Sequence, residues 1–229
     1  IGDEYFVAHD EFSFVDLDVM ASGPAVADLS DSFDAYWASA SAVPAGALPG
    51  YKKAKKQLPK MKEGLERRKV ELEASDYGRE LRSVQFEKRL MSGEIESYIG
   101  TGRVIVDPPE KAVGDTPVSE LLVGQLSAVG LSVNREVLVI SPYFVPGKVG
   151  MGWFDYLRSR GARVRVLTNS LAATDVPVVH AGYANYRKAL LELGVELHEL
   201  KPLPSASPRR TRIIGSGSSR SSLHTKSLV

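Results

Sequence analysis

Residues 101–200 read as an α/β protein with a mixed, largely parallel sheet flanked by helices, and three observations predict it. Glu136-Val137-Leu138-Val139-Ile140 is a compact apolar run of strand length. Arg163 to Thr168 reads as a second strand, entered through Gly161. A helical-period segment from Ala181 to Leu193 then stops at Gly194 and passes into a third run, Val195 to Leu200. Strands separated by helix-length segments cannot pair as hairpins, so the connections cross over and the strands run parallel. The reactive edge of such a sheet lies at the carboxyl ends of its strands.

Taken in order, Phe14 to Met20 alternates Val15, Leu17 and Val19 with two aspartates, the period of a strand with one buried face. Ser22-Gly23-Pro24 is a helix start, and Val26, Leu29, Phe33, Tyr36 and Trp37 recur at helical spacing up to Pro44. Residues 45–100 change character: Gly46, Pro49 and Gly50 open a loop, and Tyr51 to Lys69 holds nine basic residues against Glu63 and Glu66. Met61, Leu65 and Leu72 form a thin apolar stripe there, so the segment is a solvated helical arm or a surface for anionic headgroups or phosphates. Arg103 to Asp107 reads as a strand, and Thr116-Pro117 starts a helix carrying Leu121, Leu122, Gln125, Leu126 and Val129. After the Glu136–Ile140 strand a helix runs around Trp153 to Arg160. Residues 201–222, with three prolines and Gly215-Ser216-Gly217-Ser218-Ser219, read as a mobile loop rather than a phosphate cradle, because neither Gly-x-Gly-x-x-Gly nor a P-loop ending is present. Leu223 to Val229 reads as a final strand. Three segments follow from this: 1–44, 45–100 and 101–229.

The 229 residues carry 29 Lys and Arg against 28 Asp and Glu, a net charge of +1. That balance excludes an obligate nucleic-acid coat, and 43% hydrophobic residues exclude wholesale disorder. Cysteine is absent, which removes disulfides, thiolate zinc sites and a cysteine nucleophile. No run of 18 apolar residues occurs. Ile1 opens the chain without a basic and apolar leader, and Ser227-Leu228-Val229 closes it inside an expected strand, so a piece of a longer protein is expected.

His224-Thr225-Lys226 is the most suggestive motif. On a strand, alternate side chains share a face, so an imidazole and an ammonium emerge side by side while Leu223, Thr225 and Val229 face the other way. The pair suits phosphoryl chemistry: the imidazole attacks phosphorus or moves a proton, and the ammonium neutralises non-bridging oxygens. Asn169 and Ser170 end a strand and offer hydrogen bonds at the active edge; Tyr143 and Phe144 line a substrate path or pack at a strand exit. His180 is a cap, a packing residue or a site residue, and His198 reads as a half-buried strand histidine. His9, among Asp3, Glu4, Asp10 and Glu11, reads as loop chemistry rather than a metal site.

Together these residues resemble the phospholipase D superfamily. Ser222-Leu223-His224-Thr225-Lys226-Ser227-Leu228-Val229 is similar to its second His-x-Lys-x-x-x-x-Asp motif, and Ile140 to Gly147 resembles the segment after a central strand in the bacterial cardiolipin synthase branch. His180 to Tyr183, Tyr186-Arg187, Leu190-Leu191 and Gly194-Val195-Glu196 resemble the helix and strand between them. Ile1 to Phe6 resembles the stretch after the first motif, and Phe33-Asp34-x-Tyr36-Trp37 is similar to the same branch. The first His-x-Lys is absent, its expected place being before Ile1, and the second motif's aspartate would fall two places beyond Val229.

The resemblance implies a phospholipase D-like fold, with residues 1–44 ending a truncated first half and 101–229 forming a nearly complete second half. It implies transphosphatidylation without a cofactor or metal, through a histidine-bound phosphatidyl intermediate. His224 would serve as acid and base and Lys226 would bind phosphoryl oxygens, with Tyr143, Phe144, Asn169 and His180 toward the substrate. The partners implied are phospholipids, phosphatidylglycerol among them, and a bacterial membrane surface, with nucleic acid disfavoured. The competing readings are a phosphodiesterase or nuclease on the same fold and a noncatalytic docking module. With one His-x-Lys pair, the 229-residue chain alone is expected to be inactive.

Overall fold

In the computed structural model, described residues are 13–75, 78, 79, 82, 85–114, 116–201 and 221–229. Ile1 to Phe6, His9 and most of the 201–222 loop lie outside them. Strand β1 (Ser13–Val15) is followed by helices α1 (Ala25–Ala38), α2 (Tyr51–Ala74), α3 (Phe86–Met91) and α4 (Leu122–Gly130). Then come β2 (Glu136–Ile140), α5 (Gly147–Ser159), β3 (Arg163–Asn169), α6 (Pro177–Glu192), β4 (Glu196–Leu200), β5 (Ser221–Leu223) and β6 (Ser227–Leu228). The described parts of Ile1–Met20 and Leu126–Val229 form one compact unit and those of Ala21–Gln125 another.

In the first unit a four-stranded sheet has the order β4-β3-β2-β6, with β3 parallel to both β2 and β4 and β6 antiparallel to β2. It is the mixed, mostly parallel sheet expected. Period-two alternation puts Val164 and Val166 on one face, both 0% exposed, where they join Val137, Phe154, Leu157, Tyr183, Leu190 and Val195 in the core. The other face is polar at its start: Arg163 pairs with Glu196, and Arg165 with Glu136 across the neighbouring strand.

Both covering helices hand the chain to the next strand through the same device. Gly161, at φ 80°, follows α5; its N–H bonds the Arg158 carbonyl at 3.0 Å, and the Ala162 N–H bonds that of Leu157 at 3.0 Å. Gly194, at φ 78°, follows α6 with the same pair of bonds, to Leu191 at 2.9 Å and Leu190 at 3.0 Å. Left-handed backbone at these two positions needs glycine, and the paired bonds satisfy helix-end carbonyls. Arg158 ties the two ends together, donating to Leu193 O at 3.1 Å and Ala162 O at 2.7 Å.

Several boundaries differ from the reading of the sequence. The expected 14–20 strand stops at Val15, and Leu17 and Val19 are 62% and 83% exposed, because its parallel partner β5 is only three residues long. Residues 103–107 are not a strand; the Asp107 carboxylate instead accepts the Leu122 N–H at 2.7 Å at the start of α4 and bonds Lys111, which holds its carboxyl below the ordinary range. That helix begins at Leu122, after a short 3-10 turn at Val118–Glu120. Helix α5 starts at Gly147, next to Pro146, and α6 at Pro177, a preset first-turn residue. The final strand is interrupted at residues 224–226.

In the second unit, α1 and α2 bury none of their side chains. Phe33 and Trp37 stack on each other at 5.7 Å, and the Tyr36 hydroxyl donates to the Asp107 carbonyl at 2.7 Å. Among the described residues no helix is long and apolar enough to cross a membrane.

Candidate functional site

Residues 224–226 lie where the chain changes sheets. Strand β5 pairs in parallel with β1, Val15 opposite Leu223, and β6 pairs with β2, Ile140 opposite Ser227. Alternation survives the interruption: Leu223 and Thr225 are 3% and 7% exposed, while His224 and Lys226 turn outward. The Val15 carbonyl accepts both the His224 N–H at 2.9 Å and the Thr225 N–H at 3.3 Å, so the end of β1 sets the backbone that carries the imidazole.

A second clasp comes from β3. The Asn169 side chain, on a residue 2% exposed, accepts the Leu223 N–H through Oδ1 at 2.9 Å and donates through Nδ2 to the Leu223 carbonyl at 3.0 Å and to Ser222 Oγ at 3.1 Å. An amide satisfies both peptide groups of one residue because it carries a donor and an acceptor side by side.

His224 Nδ1 is 2.8 Å from Asp16 Oδ2, with both side chains about three-quarters covered. An ionised carboxylate only accepts, so Nδ1 carries the proton and Nε2 is the nitrogen that faces Lys226. Asp16 is held below the ordinary carboxylate range, chiefly by the hydrogen bond from His224, then by the Leu17 N–H and the charges of His224 and Lys226. Phe14 packs its ring 4.7 Å from the imidazole.

Lys226 Nζ lies 3.4 Å from His224 Nε2 and donates to the His224 carbonyl at 2.9 Å. It also stands 5.4 Å from the centre of the Tyr143 ring. The Tyr143 hydroxyl donates to Asp175 Oδ2 at 2.8 Å, tying that ring to the segment before α6.

Of the residues singled out in the sequence, His224, Lys226 and Tyr143 come together at one surface. Asn169 stands behind them as the clasp on Leu223, and its described contacts are with the chain itself. Phe144 is 6% exposed and packs against Phe154 and Tyr183 at 6.0 and 5.9 Å, a core position. His180 lies inside α6 rather than before it, edge-on to Tyr183 at 5.5 Å. His198 is exposed on β4. Among the described residues no group of three His, Cys, Asp or Glu is placed to hold a metal ion. Asp16, Phe14 and Asp175 were missed. Asp16 carried no signal, because the sequence places it inside the expected 14–20 strand.

An imidazole with a fixed tautomer beside an ammonium, at the exposed end of a parallel strand pair, has the chemistry to exchange a proton next to an anionic centre. No protein-family model and no solved structure matches the chain. The chain is 38% identical over 234 residues to cardiolipin synthase C of Escherichia coli (strain K12), covering 99% of this chain and 47% of that protein. It is 29% identical over 233 residues to an uncharacterized protein of Helicobacter pylori (strain ATCC 700392 / 26695), covering 44% of it. The chain thus spans about half the length of the curated relatives it matches.

Proposed function

We propose that the chain contributes one imidazole and one ammonium to a phospholipase D-type transphosphatidylase that makes cardiolipin. The observation that supports this reading most is the Asp16–His224–Lys226 constellation in a chain similar over almost its whole length to a cardiolipin synthase. A second histidine, outside these 229 residues, attacks phosphorus; a P–N bond forms and the P–O bond to the leaving alcohol breaks. His224, protonated on Nε2, gives that proton to the departing alkoxide. Now neutral, Nε2 takes the hydroxyl proton of an incoming phosphatidylglycerol as its oxygen attacks phosphorus and the P–N bond breaks. Lys226 neutralises the non-bridging oxygens in both steps, and Asp16 keeps Nδ1 protonated throughout.

The test is turnover of phosphatidylglycerol vesicles by the complete gene product. His224→Ala and Lys226→Ala are each expected to lower kcat/KM by at least about two orders of magnitude, as is typical when such groups are removed. Near wild-type turnover in the His224 variant contradicts the reading. Cleavage of a nucleic-acid phosphodiester with no lipid product moves the assignment to a nuclease.

A further inference from the structure

Helix α2 runs 24 residues without burying one, yet it is not polar all round. At 100° per residue, Tyr51, Ala54, Leu58, Met61, Leu65 and Leu72 fall within a sector of about 80°. That stripe is uncovered: Leu58, Met61 and Leu65 are 44%, 57% and 66% exposed. Lys55, Lys62 and Lys69, seven residues apart, run along one border of it. Lys53, Lys56, Lys60 and Arg67 occupy the opposite face.

We infer that α2 is an interfacial helix that lies on an anionic bilayer, with the Tyr51–Leu72 stripe among the upper acyl chains and Lys55, Lys62 and Lys69 at the headgroup phosphates. Charge complementarity selects this occupant. The stripe has the spacing of a coiled-coil seam, but pairing with a second copy sets Lys55, Lys62 and Lys69 against Gln57 and Gly64, or against each other, and the flanking positions 57, 64 and 71 offer no carboxylate before Glu71. Phosphates of a nucleic acid use the lysines and leave Leu58, Met61 and Leu65 in water. A bilayer surface serves both at once, since long basic side chains reach headgroups while the apolar side enters the acyl boundary. This inference is independent of the proposed catalysis and is read without turnover.

The test is co-sedimentation of the full chain with vesicles of phosphatidylglycerol and phosphatidylcholine against phosphatidylcholine alone. Binding is expected to the anionic vesicles and to weaken with salt. Leu58→Ser with Leu65→Ser should reduce binding at least tenfold with the helical circular dichroism retained. Reversing Lys55, Lys62 and Lys69 to Glu should reduce it several-fold more than reversing Lys53, Lys56 and Lys60, a change of equal charge. Leu58→Trp, a single exposed substitution, should show a blue-shifted emission on anionic vesicles only. Equal losses from the two lysine triples with no effect of the serine pair overturn the inference in favour of diffuse attraction. Tighter binding to a single-stranded oligonucleotide than to vesicles, or a dimer abolished by the serine pair, overturns it in favour of nucleic acid or a second copy.

Discussion

Asp16 does for His224 what spacing alone cannot: it settles which nitrogen carries the proton. A lone imidazole beside a lysine would share its proton between two tautomers, whereas the carboxylate 2.8 Å from Nδ1 leaves Nε2 toward Lys226. Asp16→Ala is therefore expected to lower kcat by about 100-fold in the complete gene product, within the range for lost acid–base positioning, with KM little changed. A change confined to KM would show that Asp16 serves binding instead. Because the Asp16 pKa is lowered from 3.8, its contribution to holding the site is complete above that value and is lost only as pH falls through the depressed one. A carboxyl titration by NMR with a midpoint below the ordinary value checks this; a midpoint at or above it contradicts the contact. His224 and Lys226 were legible as a two-residue spacing. Asp16 was not, because it lies 208 residues away and local alternation reads it as a solvent-facing strand residue.

Among the elements, β5 is short, three residues pairing with three. Asn169 supplies what a longer ladder would, so its amide matters more to the site than the length of β1. Asn169→Ala leaves the buried Leu223 N–H and C=O short of partners and is expected to destabilise the fold by about 1–3 kcal/mol. Thermal unfolding of the chain measures it, and an unchanged Tm contradicts the clasp. Strand β2 was readable as an apolar run of strand length, and β3 and β4 as alternating segments each entered shortly after a glycine that ends a helix. Residues 103–107 have the same look, yet Asp107 is committed to the start of α4 and Val106 gives its carbonyl to the Gln125 side chain at 3.0 Å. Tertiary partners decide such a segment, and composition does not reveal them. The early starts of α5 and α6 follow from Pro146 and Pro177, whose value as openers depends on which side of them the helix lies.

At the scale of the whole chain, residues 1–229 contain one His-x-Lys pair, and an in-line displacement through a covalent intermediate needs groups on both sides of phosphorus. The 229-residue chain assayed alone is expected to give no transphosphatidylation at any concentration; turnover that rises with protein concentration and disappears in His224→Ala would mean that two copies complete one site. Mixed sheet and covering helices were legible from the order of apolar runs. The grouping of residues near 13–20 with 126–229 was not, because it rests on Val15 meeting His224 across most of the sequence. The change of sheets at residues 224–226 also fastens the two halves of the site to different sheets. The imidazole is moored to β1 and, through Leu223, to Asn169, whereas Lys226 leads into β6, two residues joined to the edge of β2 by bonds such as those between Leu138 and Val229, 2.8 and 3.0 Å. A shift of one sheet against the other would therefore change the 3.4 Å between Lys226 Nζ and His224 Nε2 and leave the 2.8 Å contact of Nδ1 with Asp16 in place.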